Sequence, residues 1–222
     1  MLKDYRIPPL SGGKPERAVI FLHGVGDSGH GGLLSIGQMW QAALPTCEFI
    51  CPDAPFAFDM MPPEMADGGR QWFSLKDFSA AAMLEGVKIA APILDEYIDH
   101  ILATRGLAPK QLALVGFSQG TIMALYTAPR RKEAVAGILG YSGMLIGGET
   151  LIAEKKSAPP ALLIHGKLDE VISHDMLGFS ERGLRAAEIP VETISCPHIG
   201  HSIDDTGITE GLKFLTKIWA RS

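Results

Sequence analysis

The sequence predicts an α/β fold: a mostly parallel central sheet with helices on both faces. Two patterns lead there. Short runs of apolar, often β-branched residues alternate along the chain with longer segments of helical periodicity. Those runs are continuously apolar rather than alternating, which suits strands covered on both faces. The length of 222 residues adds a limit. It is ample for one such core, so the expectation is a single domain over 1–222 with no large cap domain.

The first buried strand is expected at 18–22 and the second at 48–51. Four more follow at 111–115, 134–139, 161–164 and 191–195. The clearest helix spans about 86–105, where Ala90, Ile93, Leu94, Tyr97, Ile98, Ile101 and Leu102 share one face. Gly106 supplies its stop, and Pro92 implies a start or a kink nearby. Further helices are expected at 119–127, 174–188 and 209–219. The stretch 53–79 stands apart, rich in Pro, Met and Gly and without periodicity. A loop this long is usually functional. It is read as a wall of a substrate pocket, with Trp72 and Phe73 as apolar surface; the alternative is that both pack on the core.

Composition excludes several classes. The net charge of −5 argues against nucleic acid, which demands a basic surface. No apolar run approaches a membrane span, so no integral membrane association is expected. The 3 cysteines, Cys47, Cys51 and Cys196, lack C-x-x-C spacing. They read as buried free thiols in a reducing compartment, neither a disulfide framework nor a zinc site. With no signal peptide visible, a cytoplasmic location is expected.

Gly116-Phe-Ser-Gln-Gly120 lies between a predicted strand and a predicted helix. That is the context of the G-x-S-x-G nucleophile elbow, in which small neighbours allow a strained turn to present a serine hydroxyl. Ser118 is the candidate nucleophile, and the next backbone N–H, on Gln119, points at a developing oxyanion. A serine needs a base and a group to orient that base, in the chain order Ser, acid, His. Asp169 follows the strand ending in His165-Gly166, and its rival Asp175 falls where helix capping suffices. His201, after Gly200 and just before a helix, is the preferred base over His198. His165 and His174 read as structural, and His23 precedes the serine. The turn His23-Gly-Val-Gly-Asp27 carries no phosphate-loop signature. Val25 is the candidate for the second oxyanion N–H.

Together these residues resemble the phospholipase/carboxylesterase branch of the α/β-hydrolases, which includes acyl-protein thioesterases and lysophospholipases. The matching strings are Phe21-Leu-His-Gly-Val-Gly-Asp27, Cys51-Pro-Asp-Ala-Pro55, Trp72-Phe73, the elbow, His165-Gly166 with Asp169, and Gly200-His-Ser202. The resemblance implies an α/β-hydrolase fold and a Ser118–His201–Asp169 triad, with Val25 and Gln119 as oxyanion donors. It implies a cofactor-free, metal-free carboxylesterase, with thioesterase or lysophospholipase action on long acyl chains as the alternative. A non-catalytic binding protein on the same scaffold is a remote third reading. The implied partner is a small-molecule or lipid ester, and a homodimer is left open. Val25, Ser74 and Thr121 stand where the family usually has Leu, Asp and Gly or Ala, and the last two bear on substrate preference. The methionines of 60–65 are read as an adaptable lining. With no cap domain, the site is expected to be an open groove.

Overall fold

The computed structural model describes residues 1–60, 62 and 68–220. Met61 and Met65 lie outside the described residues, so most of the methionine-lining expectation does too. The strands are β1 (Asp4–Ile7), β2 (Arg17–Leu22), β3 (Cys47–Pro52), β4 (Phe56–Ala57), β5 (Arg70–Gln71), β6 (Leu112–Phe117), β7 (Gly137–Tyr141), β8 (Ala161–Gly166) and β9 (Val191–Cys196). The helices are α1 (Gly32–Trp40), α2 (Ala80–Arg105), α3 (Gln119–Thr127), α4 (Gly148–Glu154), α5 (Asp175–Ala186) and α6 (Asp205–Trp219).

Seven strands form one sheet in the order β1-β3-β2-β6-β7-β8-β9. Every pairing is parallel except that of β1 with β3. Successive side chains in the strands enter opposite layers, as the two-residue period requires. Ala18, Ile20 and Leu22 join Leu112, Leu114 and residues of α2, α3 and α5 in one apolar cluster. Val19 and Phe21 join Ala113, Val115 and residues of α1 and α6 in the other. The mostly parallel sheet with helices on both faces is the architecture expected.

Some boundaries differ. β7 begins three residues later than expected, because Ala136 bonds ahead of the strand to Leu112 and Val135 is core. α2 begins at Ala80, where the Ser79 hydroxyl accepts from the Ala82 N–H. It passes straight through Pro92, which sits on an exposed turn next to exposed Lys88. The carbonyl freed by the missing proline N–H can therefore be met by water. Gly106 ends the helix in the left-handed conformation, as read from the sequence. The described residues of 53–79 contain a two-stranded hairpin of β4 and β5 and no helix. All three cysteines are free and buried, and burial raises their thiol pKa values. No helix among the described residues is long and apolar enough to cross a membrane.

Candidate active site

The elbow joins β6 to α3. Ser118 has φ 53° and ψ −116°, a conformation that costs a non-glycine residue on the order of 1–3 kcal/mol and persists only where packing enforces it. The enforcement is visible on both sides. A Cβ on Gly120 would lie 1.8 Å from the Leu22 carbonyl oxygen, and one on Gly116 would lie 2.5 Å from the backbone of Gly120. Only hydrogen fits at either position. The Ser118 N–H donates to the Tyr141 carbonyl at 2.9 Å, fixing the turn to β7. Ser118 is 6% exposed.

The turn after β2 meets this elbow, since a Cβ on Gly24 would stand 3.5 Å from the Ser118 Cβ. His23 shapes that turn. It is fully buried; its Nδ1–H donates to the Gly24 carbonyl at 2.7 Å, and its Nε2 accepts from the Ala54 N–H at 3.0 Å. A carbonyl cannot donate and an amide N–H cannot accept, so this is the neutral Nδ1–H tautomer. Burial also lowers the His23 pKa. Gly24 C=O and Val25 N–H belong to one planar peptide, so fixing the carbonyl fixes the direction of the N–H. No described residue accepts from the Val25 N–H. The Gln119 N–H opens α3, where first-turn donors have no intrahelical acceptor.

The 53–79 stretch is stitched to this region. Gly26 N–H donates to Arg70 O and Arg70 N–H to Asp27 O, each at 2.8 Å. The Arg70 guanidinium donates to the carbonyls of Ala54 and Pro55. The Gln119 side chain accepts from Trp72 N–H at 2.7 Å and donates to Phe73 O at 2.8 Å. Trp72 is 0% exposed and donates its indole N–H to His23 O. The expectation that Trp72 offers apolar surface to a substrate is therefore corrected: it is core, a strut beneath the glycine-rich turn. Phe73 is also buried but lines a cleft of about 700 Å³ with Phe56, Ala57, Gly86 and Ile89. The roles of His23, Arg70 and the Gln119 side chain leave no mark in the sequence beyond the His-Gly and elbow strings, because most of their partners are distant in the chain.

On the other flank, β8 delivers Asp169 and the turn after β9 delivers His201. His201 Nδ1 donates to Asp169 Oδ2 at 2.8 Å, which leaves Nε2 without hydrogen in the neutral ring. Asp169 Oδ1 accepts the N–H groups of Val171 and Ile172, both at 2.9 Å. Burial alone would raise the Asp169 pKa, but the bonds from His201, Ile172 and Val171 outweigh it and hold the carboxyl below its ordinary value. The His201 ring lies 4.9 Å from that of Phe117, the residue before Ser118, so acid, base and elbow share the C-terminal edge of the sheet. His198 and Asp175 are exposed, and His174 bonds the Ser195 hydroxyl at 2.8 Å.

Thr121, where the chain departs from the family pattern, lies in the core. It is 1% exposed, donates to Tyr141 O at 2.8 Å, and its methyl would stand 2.6 Å from a Cβ on Gly140. Ser74 is exposed and accepts from the Lys76 N–H. Among the described residues no group of three or more His, Cys, Asp or Glu is placed to hold a metal ion.

The chain is similar to several known proteins. An acyl-protein thioesterase 1 homolog of Dictyostelium discoideum is 28% identical over 206 residues, covering 90% of this chain and 89% of that protein. Acyl-protein thioesterase 1 of Aspergillus fumigatus is 28% identical, covering 96% and 92%. Among solved structures, esterase PE8 is 35% identical with a TM-score of 0.91, covering 98% of this chain and 99% of that one. Acyl-protein thioesterase 2 of Zea mays is 25% identical with a TM-score of 0.71, covering 98% and 99%. The phospholipase/carboxylesterase family model matches residues 10–219, and the chain belongs to that family.

Proposed function

We propose that this chain is a serine esterase that cleaves carboxylic esters through an acyl-enzyme. The observation that carries this is the His201 Nδ1–H bond to Asp169 at 2.8 Å beside the strained Ser118. It leaves an imidazole nitrogen bare at the edge where the serine is presented. Ser118 Oγ attacks the carbonyl carbon while His201 Nε2 takes its proton. The C=O π pair moves onto oxygen, where the N–H groups of Val25 and Gln119 receive it. The carbonyl re-forms, the C–O bond to the alcohol breaks, and the imidazolium protonates the leaving oxygen. Water, activated by the same histidine, then releases the acid. Asp169 keeps the ring in the Nδ1–H tautomer and stabilises the imidazolium.

The test is hydrolysis of a p-nitrophenyl ester, together with labelling by a fluorophosphonate. Ser118→Ala is expected to lose about 10⁴-fold or more in kcat and all labelling. Equal rates or retained labelling would refute the reading. A second reading is thioester hydrolysis on long acyl chains. The names of the relatives from Dictyostelium discoideum, Aspergillus fumigatus and Zea mays support it. Matched C4 and C16 esters and thioesters separate the two: higher kcat/KM on C16 thioesters favours the second, and higher kcat/KM on C4 oxygen esters the first.

A further inference from the structure

The geometry points to His165 as a positioning residue for the reaction, one that holds the carboxylate of Asp169 through the turn 169–172. The inference rests on the reading of Ser118, Asp169 and His201 as a triad. His165 lies near the end of β8, paired in register with Ser195, and is 1% exposed. Its Nε2 stands 2.9 Å from the Ile172 carbonyl and 3.2 Å from Asp169 Oδ2. A carbonyl oxygen can only accept, so Nε2 carries hydrogen and donates it to Ile172 O, with Asp169 Oδ2 close beside the N–H.

The groups facing this ring are Asp169 on its own turn, His174 at the start of α5 and His201 on the turn after β9. Ser195 on β9 is already bonded to His174. Burial, the largest influence, together with the two other histidines outweighs Asp169 and the Ile172 carbonyl, and the His165 pKa is lowered. The ring is therefore a neutral donor near neutral pH.

Two consequences follow. First, Ile172 is gripped at both ends, its N–H by Asp169 and its C=O by His165. The turn 169–172 closes into a ring of hydrogen bonds that fixes the plane of the carboxylate. Second, Oδ2 accepts from His201 at 2.8 Å, and the His165 Nε2–H stands 3.2 Å from the same oxygen. The positive end of that N–H dipole beside the oxygen that faces His201 weakens the carboxylate's preference for an imidazolium.

The experiment compares His165→Leu and His165→Gln on the same ester, with kcat and KM measured across pH. His165→Leu is expected to lower kcat roughly tenfold with little change in KM. It should also move the acid limb of the kcat/KM profile up by about half a pH unit. His165→Gln, which keeps an N–H of similar reach, is expected to restore most of both. A folded His165→Leu with the wild-type limb and kcat overturns the proposal, as does equal behaviour of the two variants. Should His165→Leu fail to fold, ¹⁵N spectra of the wild type decide: hydrogen on Nε2 through neutral pH supports the assignment, and hydrogen on Nδ1 overturns it. Failure of the triad reading would look different, since Ser118→Ala would then retain activity.

Discussion

The two flanks of the site are held by different forces. On the elbow side, β2, β6 and their turns are fixed by contact: glycine against carbonyl, a peptide plane clamped by His23, and Gln119 bridging to Trp72 and Phe73. On the acid–base side the bonds converge on one ionised carboxylate, which gathers two backbone N–H groups and His201. In the proposed reaction the first flank would present neutral dipoles where charge develops in the transition state, so its precision is steric. The second would change protonation during turnover, so its precision is electrostatic. Substitutions should therefore break the two flanks in different observables.

Asp169→Asn gives the largest effect. It preserves shape but removes the charge that selects the tautomer of His201, and kcat should fall about 10⁴-fold while the thermal midpoint moves by only a few degrees. Steady-state kinetics with a melting curve checks both. A comparable loss of stability would mean that the carboxylate chiefly holds the fold. Gly120→Ala is the converse. Its methyl would stand 1.8 Å from Leu22 O, backbone that cannot step aside, so destabilisation of about 1–3 kcal/mol or more is expected in urea unfolding. Unchanged stability would show that the elbow relaxes freely.

The smallest effect is on pH. His23 and His165 are both held below the ordinary histidine pKa by burial. The unfolded chain therefore takes up protons first, and stability is lost as pH falls below about 6.5. Asp169 is depressed instead, so its contribution is kept until the pH falls through and below about 4. A thermal midpoint that declines between pH 6.5 and 5, less steeply in His23→Gln, is the expected result. A flat midpoint over that range would mean that both rings titrate in the folded protein as they do in the unfolded chain.

What the sequence disclosed follows the same division. The elbow string is legible because no residue but glycine fits at 116 and 120; Asp169 follows the apolar strand β8, whereas β9, ahead of His201, carries Glu192, Thr193 and Ser195 and gives a weaker signal. The supports are not legible. Gln119 meets Trp72 and Phe73 from 47 and 46 positions away, and such bonds leave no periodic trace. Trp72 reads either way in the sequence because a buried strut and a pocket wall are both aromatic. β1 escaped notice because Asp4-Tyr-Arg-Ile7 is a half-buried edge strand with polar residues and pairs only with β3. α1 opens on Gly31 and Gly32 with no side-chain cap, so its start carried none of the usual signals.

Thr121 links positions that drift would otherwise treat separately. Its methyl occupies the space that any side chain at position 140 would need. Gly140 is thus locked chiefly by the size of residue 121, with Leu163 Cδ2 at 3.0 Å from the same Cβ. In a lineage where position 121 shrinks, alanine at position 140 becomes admissible once the Leu163 side chain gives by a few tenths of an ångström. The reverse order is barred by collision. The order in which two neutral-looking changes accumulate in this core is set by a contact of one methyl group.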